Sequence, residues 1–266
     1  RCQFRVIETL IFMDFTAYFR FYAELNDFLP AKQRQQVITY HFNGHLGIKD
    51  PIEALGVPHT EVEVILVNGQ PADFSYHLKS ADQVAVYPQF KHLDLAEFPR
   101  LRADRSNPVR FIVDVNLGKL AKLLRLLGFD SLYCNHFQDS VIVATAIAEQ
   151  RIILTRDRRL LFAKQIEHGY WIRAVEAKKQ THEVLNHFEL QTAIQPFSRC
   201  LTCNGLLAAV PKASIIEQLE PKTKQYYDTF YQCTLCQKIY WEGSHLDHMR
   251  HDFAALLSAQ PPSQQH

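Results

Sequence analysis

The sequence predicts an α/β chain of three modules, and three observations carry that prediction. Short alternating strands around one small helix fill residues 16–90, and strands and helices alternate through residues 109–190. Two Cys-x-x-Cys pairs, Cys200/Cys203 and Cys233/Cys236, then stand about thirty residues apart. At 266 residues the chain is also long for one compact domain, so two or three modules are the prior expectation.

The first module, residues 16–90, reads as strand, strand, helix, strand, strand. Ala17 to Ala23 alternates and is rich in aromatics, and Gln36 to Phe42 repeats the pattern, as half-buried strands do. Lys49 to Gly56 has the marks of a short helix: Asp50 as N-cap, Pro51 at the first position and Gly56 past the end. Val62 to Gly69 is a third strand running into an Asn68-Gly69 turn, and Asp82 to Tyr87 is the last. That order is the order of a ubiquitin-like β-grasp. Residues 91–107, poor in apolar side chains and rich in arginine, read as a linker.

The second module, residues 108–195, reads as βαβ units and hence a parallel sheet. Val109 to Asp114 is a short buried strand, and Leu117 to Leu127 repeats apolar residues at helical spacing until Gly128. Phe129 to Cys134 and Arg151 to Thr155 are strands, with a helix from Asp139 to Gln150 between them. Arg158 to Glu167 reads as a helix and Tyr170 to Val175 as a final strand. Residues 196–258 hold the cysteines, and residues 259–266 read as a disordered polar tail.

Bulk properties narrow the class. Apolar residues make up 47% and charged residues 21%, as in soluble globular proteins. No apolar run approaches the roughly 18 residues that a membrane span needs. Six cysteines are too few for a disulfide scaffold. Residues 1–12 lack the long apolar core of a secretory signal and read as upstream sequence, with Met13 as the natural start. A reducing, cytoplasmic location is expected. Charge is uneven: 8 basic and 12 acidic residues over 1–99, against 15 and 10 over 100–190. A basic middle suits a polyanionic partner.

Two residue sets carry the chemistry. Thiolates two residues apart in a tight turn can face one ion, and two such turns complete a tetrahedron, so Cys200, Cys203, Cys233 and Cys236 predict a structural Zn2+ site with no open position. His245, His248 and His251 read as a solvated helix face. The second set is Asp114 and Asp157, each just past a strand, and Asp139 at a helix start. In a parallel sheet such positions converge on one edge. Carboxylates brought together favour a divalent cation, and oxygen donors select Mg2+ or Mn2+. Asp130 and Glu149 are weaker candidates. Lys119, Lys122, Arg125, Arg156, Arg158 and Arg159 surround the acids and suit phosphate contacts.

Four stretches in order then resemble a known family. They are Phe111 to Asp130 (FIVDVNLGKLAKLLRLLGFD), Arg151 to Asp157 (RIILTRD), Pro196 to Gly205 (PFSRCLTCNG), and Cys233 to His245 ending YWEGSH. Together they resemble the Mut-seven C-terminal RNase family, and His59 to Gly69 (HTEVEVILVNG) is similar to the ubiquitin-like domain often fused in front of it. The resemblance implies a PIN-like nuclease fold with an appended zinc ribbon. It also implies RNA cleavage, endonucleolytic in the reading taken here, with Mg2+ or Mn2+ held by Asp114, Asp139 and Asp157. Lys119, Arg125, Arg156 and Arg158 are the expected RNA contacts. One departure stands: Arg158 and Arg159 follow the last aspartate where relatives often carry a further acid. The rival expectation is a non-catalytic RNA-binding or ribosome-associated protein. Expected partners are RNA, with the ribosome or tRNA as candidates, and a protein docked on the ubiquitin-like domain. That domain runs on through Val84 to Phe90 rather than ending in Gly-Gly, which argues against its being a conjugated modifier.

Overall fold

The computed structural model describes residues 14–89, 98, 99, 101 and 108–241. The chain divides into two compact units, residues 1–104 and 105–266. Most of the expected linker, the three C-terminal histidines and the expected tail lie outside the described residues.

The first unit holds β1 (Asp14–Phe21), β2 (Ile38–Asn43), α1 (Lys49–Ala54), β3 (Val64–Val67), β4 (Gln70–Ala72) and β5 (Gln83–Tyr87). The sheet order is β2-β1-β5-β3-β4. Its central pair, β1 and β5, is parallel and the other pairs are antiparallel. This is the β-grasp arrangement. Two details differ from the sequence expectation. The β3–β4 hairpin adds a short strand, formed because Asn68 and Gly69 both take positive φ, 52° and 80°, as a two-residue turn requires. The N-cap of α1 is Ile48 and makes no side-chain cap; Asp50 sits inside the first turn, where its charge meets the positive helix end.

The second unit is built on four parallel strands: β6 (Arg110–Val113), β7 (Asp130–Leu132), β8 (Ile152–Thr155) and β9 (Gly169–Trp171). They lie in the order β7-β6-β8-β9. The helices are α2 (Gly118–Leu126), α3 (Asp139–Glu149) and α4 (Ala177–His187). Successive strand residues face opposite sides, so one strand feeds two cores. Phe111 and Val113 pack with Leu120, Leu124, Val184 and Phe188 under α2 and α4. Ile112 packs with Ile142, Ala146 and Leu160 under α3. Each fully buried Leu or Ile here contributes about 1.5–3 kcal/mol. The expected helix from Arg158 to Glu167 is only a 3-10 turn, Arg158–Phe162, and α4 is an element the sequence reading did not place.

The last part of this unit is a three-stranded antiparallel sheet, β10 (Leu207–Val210), β11 (Phe230–Cys233) and β12 (Ile239–Trp241). Two short helices, α5 (Lys212–Ile215) and α6 (Pro221–Tyr226), fill the span between the first two strands. Ile215, Leu219 and Phe230 form a small core of their own.

Candidate active site and cysteine centre

The four Sγ atoms of Cys200, Cys203, Cys233 and Cys236 lie within 4.8 Å of one another, the one such group of metal-ligating side chains among the described residues. The sulfurs of Cys200 and Cys236 stand 3.6 Å apart and those of Cys203 and Cys233 3.4 Å. Sulfurs about 2.3 Å from a tetrahedral Zn2+ would stand about 3.8 Å apart, so little movement is needed to close the shell. The two knuckles repeat one geometry. Asn204 and Gln237 follow them with φ of 71° and 60°. Their N–H groups donate back to the carbonyls of Cys200 and Cys233 at 2.9 and 3.1 Å. The Cys203 N–H approaches the Cys200 sulfur at 3.5 Å, and the Cys236 N–H approaches that of Cys233 at 3.4 Å. Such N–H groups favour thiolate. Burial pushes the Cys200 thiol up, but the Tyr240 hydroxyl and nearby N–H groups outweigh it and hold it at about 6. Gly205 is required because a Cβ there would stand 2.9 Å from the Cys233 sulfur. The donor set and geometry fit a structural zinc ion.

A buried polar network bolts these knuckles to β7 and α2. Arg125 is 3% exposed. Its Nε donates to the Ser131 carbonyl at 2.8 Å, and its Nη1 donates to the carbonyls of Leu201 and Thr202 at 3.1 and 3.0 Å. Asp130 accepts from Arg151 at 2.6 Å and from Asn204 at 2.7 Å. Glu149 completes the cluster at 2.7 Å from the Arg151 Nε. Desolvation works against the Asp130 charge, but the bonds from Arg151 and Asn204 outweigh it and hold the carboxyl below its usual range. This corrects the expectation that Arg125 contacts RNA: its guanidinium is consumed by carbonyls. The weaker candidates Asp130 and Glu149 likewise serve as partners of Arg151. Arg125 also stands four residues after buried Ala121 on α2, a placement on the apolar face that signalled burial.

All four strands of this sheet being parallel, the residues that follow them share one edge. Asp114 follows β6, is 4% exposed and accepts from the Thr155 hydroxyl at 2.7 Å. It forms no ion pair among the described residues. Asp157 follows β8, accepts from the Arg159 N–H at 2.9 Å and pairs with its guanidinium at 3.0 Å, which holds the carboxyl low. Asp139 is exposed in the first turn of α3. The three carboxylates share the edge without forming a cluster of the tightness seen for the thiols. Arg156 donates to the Ala174 carbonyl at 2.9 Å, and Arg158 stacks on Trp171 at 3.8 Å. Lys119 lines a groove of about 910 Å³, missed in the sequence, that runs along the same edge past Lys122, Asn135, Lys178 and Thr202.

The Mut7-C RNAse domain model matches residues 109–253, more than half of the chain. The chain belongs to the Mut7-C RNAse domain family. The Mut7-C ubiquitin model matches residues 14–94 in front of it. Membership in the Mut7-C family makes this a nuclease-type protein with RNA as the implied substrate. No curated protein matches the chain. Two crystal structures of small archaeal modifier protein 1 from Haloferax volcanii are similar at 15% identity and a TM-score of 0.24, covering 29% of this chain and 99% and 97% of theirs. No helix among the described residues is long and apolar enough to cross a membrane.

Proposed function

We propose that the protein is a ribonuclease whose Asp114, Asp139 and Asp157 hold a divalent cation, Mg2+ or Mn2+, and that it cuts RNA internally in the cytoplasm. Asp114 carries the proposal. A buried carboxylate without a counterion is costly, and among the described residues nothing but the Thr155 hydroxyl compensates it. A hard cation at this edge supplies the missing charge and, when bound, lowers the pKa of water and neutralises charge on a phosphate. Thr155 fixes the Asp114 carboxylate through Oδ2 and holds the Asp157 N–H through the same hydroxyl at 2.9 Å. That one side chain therefore sets the spacing of two acids. Arg159 holds the Asp157 carboxylate ionised, ready to accept a cation. Lys119, Arg156 and Arg158 are the candidate phosphate contacts. The zinc ion held by the four cysteines is structural. The ribosome or tRNA as target, and a protein docked on the ubiquitin-like domain, complete the proposal as its partner expectations.

The test is incubation of total cellular RNA with the full-length protein and Mn2+, beside an Asp114→Asn variant. Discrete products with the parent alone support the reading. No difference between the two lanes, with both proteins folded, overturns it in favour of a non-catalytic RNA-binding protein.

A further inference from the structure

We infer that the groove along α2, α4 and the first cysteine knuckle is the track of a single-stranded RNA backbone, and that the knuckle is one of its walls. The inference deepens the ribonuclease reading and rests on it for the nature of the polyanion.

The groove begins two residues past Asp114, at Asn116, and is an open depression of about 910 Å³. Lys119, Lys122 and Lys178 line it and are exposed. Lys119 and Lys122 form no ion pair among the described residues. The starts of α2 and α4 both lie on the groove, at Gly118 and Ala177. Neither helix has a side-chain N-cap or an acidic residue in its first turn. The start of α4, whose N-cap is Glu176, therefore presents N–H groups and a positive dipole end, whereas α2 runs on from a 3-10 turn at Val115–Leu117. The lining carboxylate, Glu176, is paired with Lys179 at 3.2 Å. Cations and a helix end lining one trough describe a path for phosphates.

Size and polarity select the form of the nucleic acid. A volume of this order encloses a ligand of a few nucleotides, whereas duplex RNA is met across successive minor grooves over about 16 base pairs. Asn116, Asn135 and Thr202 add neutral donors and acceptors along the trough, which suits 2′-hydroxyls.

Thr202 ties the zinc knuckle to this trough. It lies between Cys200 and Cys203, and its carbonyl accepts from Arg125 at 3.0 Å. Arg125 is carried by α2, the helix that carries Lys119 and Lys122. The spacing between the lysine wall and the knuckle wall is thus fixed by one buried guanidinium.

The experiment uses the full chain carrying Asp114→Asn, with no added divalent cation. Fluorescence anisotropy is read with a labelled single-stranded RNA of about 12 nucleotides and with the duplex of the same sequence. Lys119→Glu/Lys122→Glu is expected to weaken single-strand binding about tenfold or more and to flatten the salt dependence by about 0.7 per lost phosphate contact. Lys178→Glu and Thr202→Glu, each checked for retained zinc, are expected to weaken it less. Lys222→Glu, an exposed lysine on α6 outside the groove, is expected to bind as the parent does. Unchanged affinity in the groove variants, or a duplex bound as tightly as the single strand, overturns the inference. Unchanged affinity in zinc-loaded Thr202→Glu alone removes the knuckle wall. Cleavage by the Asp114 parent that persists while groove variants bind normally leaves the nuclease standing without this track. Lost binding in a protein that never cuts RNA leaves the track standing without the nuclease.

Discussion

The second unit carries two sets of potential ligands, and the chain assembles them to different degrees. The four thiols lie within 4.8 Å of one another, held by paired turns and by N–H groups pointed at sulfur. The three aspartates share a sheet edge and stay apart. Cysteine side chains are small and pack: Cys200 and Cys233 are wholly buried. Carboxylates are charged at neutral pH and repel when crowded. A zinc knuckle can therefore be prefolded by backbone geometry, whereas an acidic site waits for its cation. The same contrast explains why Asp157 leans on Arg159 in the meantime.

The sharpest way to break the comparison is Cys233→Ser. Structural zinc in small modules is worth on the order of 10 kcal/mol, and a lost thiolate should remove most of it. Zinc content measured by atomic absorption should fall to background, and the melting transition should broaden and drop. A variant that keeps its zinc and its transition would show that the knuckles stand by backbone bonds alone. Next in size, Asp114→Asn should lower RNA cleavage by on the order of a hundredfold or more while leaving the melting temperature at or above that of the parent, since it removes a buried charge. A matching fall in stability would mean that Asp114 is structural.

Asp130→Ala breaks a half-buried ion pair from one side, which costs up to about 3 kcal/mol, read by urea denaturation. Its pH dependence has a definite sign. The folded pKa lies below the unfolded value, so the stabilisation is full above the ordinary carboxylate range and is lost as pH falls through the folded value. The difference between parent and variant should therefore shrink on acidification, and a constant gap would count against the ion pair. Smallest is Arg159→Ala. It should let the Asp157 pKa rise toward its ordinary value, visible as an upward shift of the acidic limb of the cleavage profile, with stability hardly changed because the pair is exposed.

What the residues revealed in advance follows the same division. The cysteines were legible because two-residue spacing is local chemistry. The parallel sheet was legible because Phe111 to Val113 and Ile152 to Leu154 are unbroken apolar runs, as strands covered on both faces must be. The α4 helix was hidden by its polar first half, Ala177 to Glu183, which leaves only Val184, Leu185 and Phe188 to mark a face. The β4 strand was hidden by Pro71 and by a length of three residues. Arg125, placed in advance among RNA contacts, shows the deeper difficulty. Its partners Leu201 and Thr202 lie 76 and 77 residues away, and no local pattern encodes a contact at that range.

That separation also orders events during synthesis. Arg125 leaves the ribosome well before the carbonyls that will satisfy it, and Asp130 precedes Asn204 by 74 residues. Until the first knuckle emerges, the nascent nuclease sheet holds a guanidinium and a carboxylate short of their final partners. Gly128 adds a steric seal: a Cβ there would collide with the Gln195 carbonyl at 2.2 Å, and the loop leading to the knuckle lies directly on the end of α2, where Gln195 and Phe197 donate to the carbonyls of Leu127 and Leu126. Translation halted just after α4 would therefore release a sheet with all four strands but with Arg125 and Asp130 still lacking Leu201, Thr202 and Asn204, partners that arrive only with the metal-binding tail.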